Sequence, residues 1–318
     1  MKLLVLGTGP FAVPMFESLL AGPHEVAALV TRPIHAARGR QKAPVNPMRD
    51  AAERHGLAVF DPQDINSGEG QRIVRSLAPE LLVVCDYGQI LSAETLSLAP
   101  LGGVNLHASL LPKYRGAAPI NWAILSGETE TGVTVIHMTP RLDAGPCLVQ
   151  RRTEIGPNET AVELEARLAQ LGTSAVLEAV EVLSRWDRAA PLGAVQDSSG
   201  ATRARRLRKE DGEIDWTRTA EQIRNQVRGL KPWPATYTHW HRPHGGPLRV
   251  IVDEASVVAG ADSLALPGTV IHADATSVHV ATGDGALSID RIQPAGKRVM
   301  GIDEFQRGHR LDPSHRFG

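Results

Sequence analysis

From Lys2 to Met138 the chain repeats one device: a short apolar run, a turn residue, then apolar residues at helical spacing. The runs are Lys2–Leu6, Val26–Thr31, Leu81–Cys85, Val104–His107 and Val133–Met138, each of a length that suits a buried strand. The first meets Gly7, and Phe16, Leu19 and Leu20 then mark a helix. Asn46-Pro47 opens another, with Asn as N-cap and Pro at the first helical position, and Gly56 stops it. Strands alternating with helices are joined by crossovers, so this half reads as parallel βαβ units of an α/β domain.

Further along, the pattern changes. Thr160 and Glu163 form a capping-box pair that starts a long helix running towards Trp186. Arg188–Gly200 is rich in Ala, Gly, Pro and Ser and has no periodicity. Thr219 and Gln222 cap a helix carrying Ile223, Val227 and Leu230. Beyond Trp233, closely spaced β-like runs at Leu248–Asp253, Gly268–His272, Ser277–Ala281 and Ala286–Ile292 indicate a small OB-like β-barrel. A length of 318 residues suits two domains. The expected organisation is an α/β catalytic domain over 1–188, a linker over 189–207 and a barrel over 208–318.

Hydrophobic residues are 42% and charged residues 22%, the balance of a soluble globular chain. Cys85 and Cys147 both sit in apolar stretches without a CxxC-like spacing, which points to reduced thiols in a cytosolic protein rather than to zinc. No apolar run approaches the roughly 20 residues that span a bilayer. The apolar part of Met1–Gly7 is too short for a signal peptide. A cytoplasmic protein with no membrane association is expected. Net charge is −1, but Arg32, Arg38, Arg40 and Lys42 crowd one stretch without an acid among them. Arg203, Arg205, Arg206, Arg208 and Lys209 form a second cluster. Two such clusters on a neutral chain fit a local anionic partner, and each by itself fits a solvated loop.

Gly7-Thr8-Gly9-Pro10-Phe11-Ala12 follows a strand and fits GxGxxA, the dinucleotide fingerprint, and Arg32 stands where an NADP enzyme keeps a basic residue. Against that reading, Pro10 occupies the turn whose backbone amides would meet a pyrophosphate. The segment Gly102–Gly145 says more. Asn105 and His107 lie two apart at a strand end and face the same side. A polar pair on an apolar strand is costly to bury without partners. Ser109-Leu110-Leu111-Pro112-Lys113-Tyr114-Arg115-Gly116-Ala117-Ala118-Pro119 follows, and Leu142-Asp143-Ala144-Gly145 later supplies a carboxylate on a Gly-containing loop.

The run from Asn105 to Ile120, NLHASLLPKYRGAAPI, then GETETGVTVIHM and LDAG, resembles the folate-dependent formyltransferases. RGAAPI is similar to the methionyl-tRNA formyltransferases among them rather than to the enzymes that act on glycinamide ribonucleotide. The resemblance extends along nearly the whole chain, through the basic loop at Thr31–Asn46, Asp86-Tyr87-Gly88-Gln89-Ile90-Leu91, Ile214-Asp215-Trp216, Pro232-Trp233-Pro234, Ala281–Gly285 and Gln293–Lys297. It implies a Rossmann-like parallel-sheet domain followed by the OB-like barrel. It also implies transfer of a formyl group from 10-formyltetrahydrofolate, as co-substrate and without a metal, to the methionine amine of charged initiator tRNA. A monomer suffices for this.

Residue by residue, the resemblance gives Asn105, His107 and Asp143 the catalytic positions. Ser109, Leu110, Leu111 and Pro112 match the folate-contacting loop, and Tyr87, Gly88, Gln89, Ile90 and Leu91 match the strand end whose backbone holds the pterin. Arg38, Arg40 and Lys42 match the loop that touches the tRNA acceptor stem, and the barrel would add electrostatic grip. Aromatic residues are only 4%, so backbone contacts should dominate there. The chain departs from the family pattern in Gly7-Thr8-Gly9-Pro10-Phe11-Ala12, where GTPxFA is usual, at Asp86 in place of a small residue, and at Pro146 in place of an acid. Three alternatives remain at this level: a formyltransferase on an amino sugar, an NADP oxidoreductase, and a catalytically dead RNA-binding relative.

Overall fold

A computed structural model describes residues 1–34, 45–260 and 264–318. The chain divides into two compact units. The first comprises Met1–Pro119, Glu130–Glu154 and Leu164–Arg205, and the second Ile120–Thr129, Ile155–Glu163 and Arg206–Gly318.

In chain order the first elements are β1 (Lys2–Gly7), α1 (Val13–Leu20), β2 (Glu25–Val30), α2 (Pro47–Arg54), β3 (Val59–Phe60), α3 (Gly68–Leu77), β4 (Leu81–Cys85), α4 (Ala93–Ser97) and β5 (Gly103–His107). Then come β6 (Arg115–Gly116), α5 (Pro119–Leu125), β7 (Glu130–His137), β8 (Cys147–Glu154), α6 (Ala161–Ser184) and β9 (Arg203–Ala204). The main sheet of the first unit has the order β3-β2-β1-β4-β5-β7-β8. The first five strands are mutually parallel, as the alternation of strand and helix predicts. β7 and β8 run antiparallel. An apolar run encodes burial but not direction, so the Val133–Met138 run is legible as a strand and its reversed sense is not. β4 is buried along its whole length, whereas the edge strand β8 is mostly half-buried, with Val149 buried and Arg152 and Glu154 exposed.

Local signals act where they stand in the sequence. Asn46 Oδ1 accepts from the Arg49 amide at 3.0 Å, Pro47 occupies the first turn, and Met48, Ala51 and Ala52 face the core. Thr160 and Glu163 cap α6 reciprocally, the Thr160 amide donating to Glu163 Oε2 at 2.9 Å. Leu4, Leu6, Val30, Leu82 and Val84 pack with Val74 and Leu96 into one cluster, each burial contributing on the order of 1.5–3 kcal/mol.

The second unit contains α7 (Ala220–Gly229), β10 (Tyr237–His241), β11 (Leu248–Val258), β12 (Val270–Ala273), β13 (Val278–Ala281), β14 (Ala286–Pro294), β15 (Met300–Gly301), α8 (Ile302–Gly308) and β16 (Arg316–Phe317). Its strands pair in the order β12-β13-β14-β11-β10-β16, all antiparallel. Backbone bonds Val270 N to His315 O and Phe317 N to Gly268 O, both 2.8 Å, tie the segment ending in β16 back beside β12 and close the sheet into a barrel. Register shifts between Val252 and Ala255 bend the long β11 against β14. Trp240, Val250, Val280, Ile289 and Phe305 fill the interior with Ile223 and Val227 of α7. Among the described residues no helix is long and apolar enough to cross a membrane.

Candidate active site

In the parallel part of the first sheet the chain's progress reverses between β1 and β4, and such a switch point leaves a crevice at the carboxyl ends of the strands. The two loops flanking it meet: the Thr8 amide donates to Asp86 O at 3.1 Å and Thr8 Oγ1 to Tyr87 O at 3.4 Å. His107 ends the next strand, β5.

Asn105, His107 and Asp143 converge beside this crevice. His107 Nδ1 lies 3.7 Å from Asp143 Oδ2, and both side chains are nearly enclosed, 6% and 9% exposed. Asn105 Nδ2 donates to Asp143 Oδ1 at 3.4 Å. The Gly116 amide donates to Asp143 Oδ2 at 2.8 Å, and His107 Nε2 lies 2.9 Å from Tyr114 O. A carbonyl only accepts, so Nε2 carries a hydrogen. The other nitrogen, Nδ1, faces Asp143 Oδ2 from beyond hydrogen-bond distance.

Asp143 reaches this place by a return path. Because β7 is antiparallel to β5, His137 pairs with Val104 at the start of β5, away from His107. The connection 138–146 folds back to bring the carboxylate to Asn105 and His107. Two backbone features permit it. Asp143 adopts φ +49, and a β-carbon on Gly145 would strike the His137 carbonyl oxygen. Pro146 accepts the His137 amide at 2.9 Å through its carbonyl.

The loop Ser109–Pro112 is held from within. Ser109 Oγ donates to Lys113 O at 2.7 Å, Thr134 Oγ1 donates to Ser109 O at 2.7 Å, and the Leu111 amide donates to Thr134 Oγ1 at 3.1 Å. Gln150 Nε2 donates to Leu111 O, the Leu111–Pro112 peptide is cis, and Leu110 is half-buried. After β4, Tyr87 and Leu91 point into the core while Gly88 and Ile90 are exposed. Gln89 bonds the Ile65 amide, and Asn66 Nδ2 donates to Ile90 O at 2.9 Å. Asp86, at φ +48, is reached by solvent although protein surrounds it on most sides, as on a crevice wall. Desolvation first, and then Glu165, push its carboxyl up to about 6 against the opposing pull of Arg32. Burial likewise pushes the Tyr87 phenol upward.

Arg38, Arg40 and Lys42 lie outside the described residues. Arg203, Arg205, Arg206, Arg208 and Lys209 are all exposed, with Ala204 and Leu207 buried between them. Composition alone does not expose the part played by 194–204. Gln196 Nε2 donates to Asp143 O at 2.8 Å and Gly145 O at 2.7 Å, and its Oε1 accepts from Arg115. Thr202 Oγ1 accepts the Tyr114 amide at 2.8 Å, and β9 pairs with β6. Those partners are mostly backbone atoms, which no sequence pattern marks.

The formyl transferase family profile matches residues 1–180, and the formyl transferase C-terminal domain profile matches residues 206–310. This chain belongs to the formyl transferase family. Among curated relatives it is 43% identical to a methionyl-tRNA formyltransferase of Rhodopirellula baltica over 322 residues, covering 98% of this chain and 95% of that one. It is 41% identical to the methionyl-tRNA formyltransferase of Solibacter usitatus, covering 100% of this chain and 99% of that one. Among solved structures it is similar in fold to an N-formyltransferase from Helicobacter canadensis, solved with folinic acid and dTDP-3-aminofucose, with a TM-score of 0.65 and 17% identity over 91% of this chain and 98% of that one. HypX from Aquifex aeolicus in complex with tetrahydrofolic acid gives a TM-score of 0.63 at 17% identity over 98% of this chain, which spans 49% of that longer one. Membership in the formyl transferase family agrees with the two-part fold.

Proposed function

We propose that this chain transfers the formyl group of 10-formyltetrahydrofolate to the α-amine of methionyl initiator tRNA, giving N-formylmethionyl-tRNA for translation initiation. The observation that carries the chemistry is the meeting of two separate segments at Asp143, whose carboxylate lies 3.7 Å from His107 Nδ1 and 3.4 Å from Asn105 Nδ2. The acceptor follows from full-length similarity to methionyl-tRNA formyltransferases.

The residues present suit a folate. Ile90 is 56% exposed beside the crevice and offers apolar surface to a flat ring, while the loops on either side are braced by their own hydrogen bonds. Tyr87–Leu91 and Ser109–Pro112 would hold it. When bound, the folate supplies an activated formyl group. Asn105 Nδ2 makes only a long bond to Asp143, leaving an N–H for the oxygen on which negative charge develops. A preorganised donor of this kind commonly contributes about 3 kcal/mol to a transition state. His107 Nδ1, when protonated, is a second donor on the same side. Asp143 orients the ring, balances its charge, and accepts the proton that the amine must lose, directly or through water. The enclosure of both side chains strengthens each of these interactions by excluding bulk water.

Arg38, Arg40 and Lys42, with the exposed cluster around Arg205, would grip tRNA phosphates in the cytoplasm. The deciding experiment mixes purified protein with 10-formyltetrahydrofolate and methionyl initiator tRNA and measures formyl-methionine in a single turnover. Transfer by the wild type, reduced by several hundred-fold in His107→Ala and Asp143→Asn with folding retained, supports the reading. Near-normal rates in either variant remove that residue from the chemistry. No transfer by the wild type, with folate binding intact, redirects the acceptor to another amine such as an amino sugar.

A further inference from the structure

We propose that Gln196 is a positioning residue for Asp143, locking the carboxylate against His107 through a closed ring of contacts with Arg115. The inference rests on the reading of Asp143 as part of the reactive centre.

Asp143 stands in a left-handed backbone conformation, φ +49, which Asp tolerates better than most non-glycine residues and which its neighbours can hold in one place. Gln196 does the holding. Its Nε2 spends both hydrogens, one on Asp143 O at 2.8 Å and one on Gly145 O at 2.7 Å, the two carbonyls that bracket the turn. Its Oε1 spends its acceptor capacity on Arg115, with Nε at 3.1 Å and Nη2 at 2.6 Å. Reversing the amide would set oxygen against two carbonyls and nitrogen against a guanidinium, so only one orientation is compatible with the neighbours.

The ring then closes. Arg115 precedes Gly116, whose amide donates to Asp143 Oδ2 at 2.8 Å. The carboxylate is thus held from one side by the backbone next to Arg115, and the backbone of the same residue is held from the other side by the glutamine that Arg115 orients. Tyr114, on the opposite flank of Arg115, presents the carbonyl that meets His107 Nε2. One short stretch therefore fixes both halves of the His107–Asp143 pair, and Gln196 ties that stretch to the Asp143 turn. Displacing a reacting group by about 1 Å costs on the order of 100-fold in rate, so loss of this tie should show in turnover rather than in substrate binding.

The test compares Gln196→Ala and Gln196→Glu. Glutamate keeps the partner of Arg115, now as an ion pair, and replaces the donor facing the two carbonyls by an acceptor. If Gln196 only anchors its own segment to Arg115, Glu should function better than Ala. If it positions Asp143, Glu should be at least as damaging as Ala. The expected result is a fall in kcat on the order of 10- to 100-fold in both variants, with KM for folate and for methionyl-tRNA within about twofold and unchanged far-ultraviolet circular dichroism. In single-turnover assays the Gln196→Ala effect should vanish in an Asp143→Asn background, because there is then no carboxylate to position. Near-normal turnover in Gln196→Glu, or an undiminished Gln196→Ala effect over an impaired Asp143→Asn background, overturns the proposal alone. Wild-type rates in Asp143→Asn by itself overturn the reading beneath it as well.

Discussion

The carboxylate of Asp86 lies against the α-carbon of Gly9 and occupies the space that any side chain at position 9 would need. Gly9 has φ −89, a conformation open to every residue, so it is a glycine for room and not for backbone freedom. Gly9 and Asp86, one on each side of the switch point, thus share one space. Gly9→Ala should displace the Asp86 carboxylate at a cost of roughly 0.5–1 kcal/mol, because the obstructing atoms are the end of a solvent-reached side chain. Gly9→Ala combined with Asp86→Ala should recover that loss in chemical denaturation. Additive effects would mean that the two residues do not share the space.

The same carboxylate should leave a mark on the pH dependence of stability. Its folded-state pKa of about 6 stands above the ordinary 3.8 because desolvation and Glu165 outweigh Arg32. Between these values the folded chain holds a proton that the unfolded chain releases, so this contribution is greatest at low pH and is lost as pH rises through about 6. Asp86→Asn removes the titration. The stability of Asp86→Asn relative to wild type should therefore increase between pH 4.5 and pH 7.5, on the order of three pH units being enough to span the window. Measuring that difference, rather than either protein alone, cancels the histidines. A flat difference would show that Asp86 titrates in its ordinary range.

Gly145→Ala should disable the return loop. Its new methyl group would meet the His137 carbonyl, which is fixed in the sheet, so the loop carrying Asp143 must shift. Turnover should fall at least about 10-fold while the melting temperature changes little, since the loop is peripheral to the core. Wild-type kcat would show that the loop accommodates the change without moving the carboxylate.

Arg38→Glu addresses the nucleic-acid partner. Each lost phosphate contact removes counterion release, so tRNA affinity should drop and the slope of log affinity against log salt should decrease by about one. Folate binding should be untouched. An unchanged slope would place Arg38 away from phosphate.

Much of this molecule is legible in its residues, for reasons that differ from part to part. The caps at Asn46, Thr160 and Thr219 are local, each settled by atoms three residues apart, and all of them stand where the sequence puts them. Asn105 and His107 are visible as a polar pair on an otherwise apolar strand. Asp143 is visible only as a carboxylate on a Gly-containing loop, and its meeting with that pair depends on the return path of 138–146, which no local pattern encodes. The antiparallel sense of β7 and β8 depends on long-range packing, and the brief pairings of β9 and β16 are too short to leave a periodic trace. Gln196 sits in a stretch whose composition suggests a plain connection, and its partners are carbonyl oxygens that every residue possesses.

The back-pairing of 194–204 onto Arg115–Gly116 also sets the reactive side chains apart from their support along the chain. Asn105, His107 and Asp143 all precede the long helix α6, yet the contacts that steady the Asp143 turn come from after it. A chain folded only as far as Ser184 would own every candidate reactive side chain and lack the brace that aligns them.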